Sequence, residues 1–220
     1  MYRSLLAAIR ATTICIAMTA CEDAASSQSD TQATPVGTAA NCFSDDIDLK
    51  TDLKISGCTA LIESGHETQR NLASAFSNRG GAYLAKRDYA RAIQDYDQAI
   101  RLRSDYYEPF LGRCAARAYG DKGFEEALSD CDEALRLDPG NVDSLGVRGL
   151  VYFKMGRYHK AIADCNQVLS QYPQLPFGLY LRGLAKRMSH DVGGGDADIA
   201  AAKAIRPNEP EKFAAYGVRP

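Results

Sequence analysis

The sequence predicts an all-α protein built as a solenoid of about four helix pairs, and three observations support this fold class. A pattern repeats through residues 73–206 at intervals of 34 or 35 residues. Each repeat carries apolar residues at helical spacing and lacks the alternation typical of strands. Pro139, Pro173 and Pro207 close three repeats, because proline cannot continue a helix. A steady period of this length indicates stacked helix pairs.

Small residues mark the place where the two helices of each repeat cross. The first helix carries one in every repeat: Gly80, Cys114, Gly149 and Gly183. The second helix carries an alanine there in three repeats: Ala92, Ala127 and Ala161. Small side chains let helix backbones approach closely. The fourth repeat has Gly193, Gly194 and Gly195 instead, and we expect these glycines to weaken the start of its second helix.

The repeats resemble the tetratricopeptide repeat. The first reads SNRGGAYLAKRDYARAIQDYDQAIRL and the third reads VRGLVYFKMGRYHKAIADCNQVLSQYP. The resemblance implies a right-handed α-solenoid with four repeats: residues 73–106, 107–141, 142–175 and a divergent fourth at 176–207. It also implies that the chain is a scaffold for other molecules and not an enzyme.

Helical segments on both sides of the repeats are expected to cap the array. Residues 42–65 align with the second helix of a repeat, and Ser44 stands where it can cap their helix. We predict a single half-repeat helix that covers the apolar end of the first unit. Residues 208–220 predict a C-terminal capping helix and tail, with Phe213 and Tyr216 on the helix.

The N-terminal region predicts an exported protein. Residues 1–20 combine Arg3 and Arg10 with an apolar run that is too short to span a bilayer, which is typical of a signal peptide. The residues around Cys21 resemble a bacterial lipobox, so lipidation of Cys21 and ordinary cleavage remain alternatives. Residues 21–41 predict a disordered linker. We expect a periplasmic protein, or one anchored to the outer membrane of a Gram-negative bacterium by this lipid alone.

Seven cysteines suit an oxidising compartment. Cys42 and Cys58 are the first predicted disulfide, and the loop they close would stabilise the fold by about 3 kcal/mol in the chain-entropy model. Cys114 and Cys131 lie on facing helices of the second repeat and are a possible second pair. Burial as small apolar residues stays an alternative for this pair, and it is favoured for Cys165. No cysteine has metal-ligand spacing.

An arginine precedes the crossing residue in every repeat, and an aspartate follows it on the second helix. The pairs are Arg79 with Asp95, Arg113 with Asp130, Arg148 with Asp164, and Arg182 with Asp198. We predict an arginine–aspartate ladder of ion pairs, within or between units, that fixes how the helices dock. A row of arginines that binds anions is the alternative, and it is disfavoured because each arginine has its own aspartate.

The resemblance places the first helix of each repeat on a concave groove. The residues expected to line it are mostly small or apolar: Ser77, Gly81, Leu84, Leu111, Ala115, Tyr119, Leu150, Phe153, Lys154, Tyr180, Leu184 and Arg187. Such a surface suits an extended peptide or a partner helix, although some of these residues could instead pack beneath the chain's own ends. The clamp with which related repeats bind a chaperone's terminal carboxylate is missing at the matching places: Ser77, Gly81, Gly112, Asp143 and Val147.

Composition and motifs argue against several function classes. A formal net charge of −2 lacks the basic excess of a nucleic-acid binder. His66, His159 and His190 accompany no nucleophile, metal or phosphate-binding motif, so we expect no catalysis, metal or cofactor. Two functions remain. One is an envelope scaffold that binds a peptide segment or a partner subunit in its groove, and the other is a homo-oligomeric structural module without a dedicated ligand.

Overall fold

The computed structural model describes residues 36–44 and 51–218, and every regular element in these residues is a helix. The helices are α1 (Val36–Phe43), α2 (Thr51–Glu63), α3 (Gln69–Ala85), α4 (Tyr89–Leu102), α5 (Glu108–Tyr119), α6 (Phe124–Leu137), α7 (Val142–Lys154), α8 (Tyr158–Gln171), α9 (Pro176–Met188), α10 (Val192–Ile205) and α11 (Glu209–Ala215). Each helix packs on the next one in the chain. The predicted all-α solenoid is confirmed.

The four predicted repeats each contain one helix pair: α3 with α4, α5 with α6, α7 with α8, and α9 with α10. Four of these helices begin after a residue whose side-chain oxygen accepts a hydrogen bond from the backbone nitrogen three residues later. These residues are Thr68 before α3, Asp88 before α4, Asn141 before α7 and Asp191 before α10. Such caps satisfy a backbone donor that the helix itself leaves unpaired.

Close packing of α9 on α10 explains one of the three glycines of the fourth repeat. A Cβ atom on Gly195 would lie 2.7 Å from the carbonyl oxygen of Gly183, and one on Gly183 would lie 2.8 Å from that of Gly195. Gly195 is therefore the crossing residue of α10, in the place that alanine holds in the other repeats. Our expectation that the glycines only weaken the helix start was incomplete, since α10 begins before them at Val192.

The N-terminal end contains two helices, whereas we predicted a linker to residue 41 and one capping helix after it. Helix α1 begins at Val36 and packs on α2. The predicted boundary was wrong because Cys42, at the end of α1, is fully buried against Cys58 of α2. This contact gives a segment of otherwise small residues a helix to pack on.

Several predictions fall outside the described residues. They concern the signal peptide at 1–20, Cys21, the linker up to residue 35, and the helix start predicted directly after Ser44.

Two pairs of cysteines lie at disulfide distance. The Sγ atoms of Cys42 and Cys58 are 2.17 Å apart, and those of Cys114 and Cys131 are 2.16 Å apart. Cys165 is buried, has no sulfur partner among the residues described, and has its thiol pKa raised by burial. Its place in the core suits the apolar role that we favoured for it.

The second cysteine pair replaces a different combination of side chains in other repeats. A Cβ atom on Gly80 would lie 3.0 Å from the ring of Tyr96, and one on Gly183 would lie 2.7 Å from Cγ1 of Ile199. In these repeats a glycine on the first helix makes room for a large residue on the second. Two cysteines fill the same space in the second repeat, which conserves volume at a close-packed crossing.

Each arginine of the predicted ladder binds both carboxylate oxygens of its aspartate. In the third repeat, Nε and Nη2 of Arg148 donate to Asp164 at 2.9 and 2.8 Å. The other three pairs have the same geometry: Arg79 with Asp95, Arg113 with Asp130, and Arg182 with Asp198. All four aspartates are buried. A buried carboxylate is costly unless it is paired, and the bidentate arginine supplies two charge-assisted hydrogen bonds.

The remaining nitrogen of each arginine reaches the preceding unit. Nη1 donates to a residue two places after the ladder position on the previous second helix, at 2.6 to 3.0 Å: Thr59, Asp97, Asp132 and Asn166. The arginines therefore connect helices both within and between units. Because the described contacts use all three donor groups of each guanidinium, no row of free arginines remains for anions.

Arg148→Ala should lower the free energy of unfolding by about 3 kcal/mol, because it leaves the buried carboxylate of Asp164 without its bidentate partner. Thermal unfolding followed by circular dichroism measures the loss. Arg157→Ala is the matched control, since Arg157 pairs with Glu125 at an exposed site and should change stability by less than about 1 kcal/mol. Equal losses in the two variants would contradict a structural role for the ladder.

Candidate functional site

The first helices of the repeats form one continuous layer. Helix α3 contacts α5, α5 contacts α7, and α7 contacts α9, whereas the second helices α4, α6, α8 and α10 make no comparable contacts with one another. Helices that approach each other more closely lie on the inner side of a curved stack. This layer is therefore the concave groove in which we look for a ligand site.

The C-terminal segment, residues 209–218, begins in the groove at the fourth repeat. Phe213 is fully buried there. Its ring centroid lies 4.8 Å from that of Tyr180 and 5.0 Å from that of Phe177, both on α9. Aromatic rings at these distances attract each other beyond the gain from burial alone. Phe213 is thus the main anchor of α11.

The same segment continues past the fourth repeat to the second. The ring of Tyr216 stacks on that of Tyr119 in α5, with centroids 4.4 Å apart and an interplanar angle of 15°. Burial raises the pKa of Tyr119, and Tyr216 acts in the same direction. The chain's own end therefore crosses the groove.

The last described residues of the segment are tightly fitted. Val218 is buried in one apolar cluster with Leu150 and Leu184. Gly217 before it has a φ angle of +78°, and a Cβ atom there would lie 2.9 Å from Asp121 Oδ2. The backbone conformation favours glycine at this position, because a residue with a Cβ atom is strained at this φ angle.

The segment divides the predicted groove residues into a covered part and an open part. Four predicted lining residues are buried: Ala115, Leu150, Tyr180 and Leu184. Their assignment to an open groove is corrected, and for Tyr180, Leu150, Leu184 and the stacked Tyr119 the cause is the chain's own end, the alternative that we left open. Phe153 is partly exposed and packs against Tyr158 at 5.5 Å.

The two predicted cations of the groove are both paired. Lys154 is mostly buried, donates to the carbonyl oxygen of Ala118 at 2.8 Å and pairs with Asp121 at 2.5 Å. Arg187 is exposed and lies 3.6 Å from Asp196 on α10. Neither side chain offers the groove an uncompensated positive charge.

The open end of the groove belongs to the first two repeats. We define it by four partly exposed predicted residues: Ser77, Gly81, Leu84 and Leu111. Its floor includes a residue that sequence reasoning missed, since the hydroxyl of Tyr96 would lie 3.7 Å from a Cβ atom on Gly81. Tyr96 fits because Gly112 has no side chain, and a Cβ atom there would overlap its ring at 2.2 Å. The sequence signal for this fit is that the large Tyr96 occurs together with the small Gly112 on the next helix.

Other kinds of site find little support in the described part of the chain. No group of three or more His, Cys, Asp or Glu residues could hold a metal ion within residues 36–44 and 51–218. In those same ranges no helix is both long and apolar enough to cross a membrane. His159 and His190 line one shallow depression beside Arg157, Lys160 and Ser189, and no carboxylate lines it with them.

Comparison with known proteins gives a family match for the first and third repeats. The family model of the tetratricopeptide repeat matches residues 73–106 and 142–175. Hsc70-interacting protein 1 of Drosophila melanogaster is 32% identical over 108 residues, which is 49% of this chain and 25% of that protein. The chain thus spans about a quarter of the length of this curated relative.

Solved structures share the fold. MamA superimposes with a TM-score of 0.59 at 20% identity, over 77% of this chain and 88% of its own. YrrB, described as a tetratricopeptide protein with an unusual peptide-binding site, has a TM-score of 0.58 at 16% identity, over 76% of this chain and 84% of its own. At these identities the likeness establishes the architecture alone.

Phe213→Ala should loosen the C-terminal segment, because it removes the ring that fills the space between Phe177 and Tyr180. A buried phenylalanine replaced by alanine costs about 3 kcal/mol or more, so the amides of residues 216–218 should exchange about 100-fold faster. Hydrogen exchange read by mass spectrometry measures this. Glu211→Ala, on the exposed side of the same helix, is the control and should leave exchange unchanged. Unchanged exchange in Phe213→Ala would contradict its role as anchor.

Proposed function

The chain is a tetratricopeptide repeat protein, and on that basis we propose that it is a protein-interaction scaffold of the bacterial cell envelope. Its concave groove binds a segment of a partner protein. The observation that supports this most is that the groove already holds a peptide segment, the chain's own residues 209–218, while its other end stays open. A surface that buries Phe213 and Tyr216 has the chemistry that a peptide ligand needs.

The open end suits the backbone and apolar side chains of an extended peptide. Ser77 and Gly81 are small, so a peptide backbone can approach α3 closely. Leu84 and Leu111 offer partly exposed apolar surface beside them. The binding energy would then come from burial of apolar side chains, with hydrogen bonds fixing the peptide's direction.

Relatives support a protein ligand without naming one. Hsc70-interacting protein 1 carries its partner in its name, and YrrB is described with a peptide-binding site. We do not transfer the chaperone partner. The places of the carboxylate clamp are held here by side chains without a positive charge: Ser77, Gly81, Gly112, Asp143 and Val147.

The envelope location rests on the predicted signal peptide and on the cysteines. Disulfides persist in oxidising compartments and are rare in the cytosol. The pairs Cys42–Cys58 and Cys114–Cys131 lie at disulfide distance, which supports export. Lipidation at Cys21 would add a membrane anchor, and ordinary cleavage would leave the protein in the periplasm.

Thiol mapping tests the location. The chain isolated from its native cells is denatured without reductant, alkylated, then reduced and alkylated with a second reagent. Of the five described cysteines, only Cys165 should carry the first reagent, because the other four are bonded in pairs. Purification with reductant present supplies the control in which all five carry it. A first label on Cys42 or Cys114 in the native preparation would count against an oxidising compartment.

The alternative function, self-association without a ligand, has less support. Leu169 of α8 packs on the next repeat, against α9 beside Gly178. The matching place on α10 is held by Lys203, which is exposed. Polar residues at the end of a solenoid prevent copies from stacking head to tail.

Partner capture with matched variants tests the groove. Leu84→Glu with Leu111→Glu places two charges at the open end, and Ser129→Glu with Ala163→Glu places two charges on exposed positions of second helices. A true partner should cross-link to the parent and to the second variant, and the first variant should reduce its capture at least 10-fold. Circular dichroism establishes that both variants fold. Equal capture by both variants would contradict binding in the groove.

A further inference from the structure

We propose that the C-terminal segment is an exchangeable occupant of the groove, and that the surface beneath it is a second binding site. Its ligand is a partner segment with the pattern aromatic-x-x-aromatic-glycine-aliphatic, which this chain presents as Phe213, Tyr216, Gly217 and Val218. The inference goes beyond the proposed function, since it assigns a ligand to the covered part of the groove and does not depend on the open end.

The contacts of the segment exceed what the end of a solenoid requires. A cap has to cover the apolar surface of the last repeat, and Phe213 does so against α9. Tyr216 continues to Tyr119 of the second repeat, and Val218 joins a cluster with Leu150 of the third. The segment thus follows the concave face across three repeats, as a bound peptide does.

The segment is held in place by side chains alone. Its backbone hydrogen bonds in the described structure are local, such as those from the nitrogens of Tyr216 and Val218 to the carbonyl oxygen of Phe213, at 3.0 and 2.9 Å. Its ion pair joins Glu209 to Arg206 at the start of the segment. Departure of residues 213–218 therefore breaks no backbone hydrogen bond to the repeats within the described structure.

Release also leaves the repeats intact. Helix α11 has seven residues, and a helix of that length is unstable in water without packing. The contacts that order the fourth repeat, Arg182 with Asp198 and Gly183 with Gly195, lie within α9 and α10. Because the segment is at the end of the chain, it can leave without threading past another element.

The covered site selects a ligand by shape and apolar character. Tyr119 and Tyr180 receive aromatic rings, and Leu150 lies in the cluster that receives the aliphatic side chain. Lys154 and Asp121 neutralise each other where the glycine passes, and the φ angle of +78° at Gly217 is one that residues with a side chain rarely adopt. A partner therefore needs glycine between its second aromatic residue and its aliphatic residue, and it gains nothing from a charge there.

A peptide competition experiment tests the proposal. The probe is a fluorescein-labelled peptide of residues 208–220, NEPEKFAAYGVRP, and binding is measured by anisotropy. The full chain with Phe213→Ala and Tyr216→Ala vacates its own site and should bind the probe at least 10-fold more tightly than the parent. The chain with Glu211→Ala keeps its segment in place and should behave as the parent does. A probe that carries Phe213→Ala and Tyr216→Ala should not bind.

A second variant keeps the test decisive if the chain with Phe213→Ala and Tyr216→Ala does not fold. Gly217→Ala strains the backbone at a φ angle of +78° and leaves Phe213 present, so it should loosen the end of the segment and also increase probe binding. Adding Tyr119→Ala to the Phe213→Ala, Tyr216→Ala chain should abolish the gain. No probe binding to either folded variant, or binding unaffected by Tyr119→Ala, would overturn the proposal and make the segment a permanent cap. Leu84→Glu with Leu111→Glu should leave probe binding unchanged, which separates this site from the open end.

Discussion

The structure depends on one buried carboxylate in each repeat and on the arginine that neutralises it. An aspartate buried on the second helix would destabilise the fold if it were unpaired. The arginine guanidinium pairs with this carboxylate through two coplanar donor groups, and its third donor group binds a residue of the preceding unit. Three helices are thereby held in one register at every step of the stack. The positions of the first helices, and hence the shape of the groove, follow from this geometry.

The ladder also accounts for the chemistry of the groove. Asp130 and Asp198 each receive a second cation from the first helix, Arg117 and Lys186 respectively, whereas the other two repeats carry Tyr83 and Tyr152 at that place. Most of the positive charge on the first helices is thus neutralised by ion pairs with the aspartates of the same repeat. What remains on the concave side is small, apolar or aromatic surface, which explains why the groove accepts an aromatic segment of the chain.

Features that recur in every repeat could be predicted in detail from the sequence, whereas features that occur once could be predicted only in part. Arg148 and Asp164 were paired correctly because nearly the same spacing appears in all four repeats, and a chance spacing would not recur four times. The stacking of Tyr216 on Tyr119 has no counterpart among the described residues, and no periodicity links two residues so far apart. Helix α1 was not predicted for a similar reason, since it is short, does not match a repeat, and packs through a contact of Cys42 that occurs once.

The C-terminal segment is covalently attached to the repeats, and this attachment determines how strongly a partner must bind to displace it from the covered part of the groove. A segment joined to its site by a short connection has an effective concentration on the order of millimolar, so a free peptide of the same sequence can displace it only weakly. A partner gains an advantage if it also contacts the open end, because Leu84 and Leu111 add partly exposed apolar surface there. Selectivity then resides in the glycine that passes Asp121, since its left-handed backbone conformation strains a residue with a side chain whatever the affinity of the aromatic residues. Both parts of the groove thus contribute to the affinity for a partner, and the covered part determines which partner sequences bind.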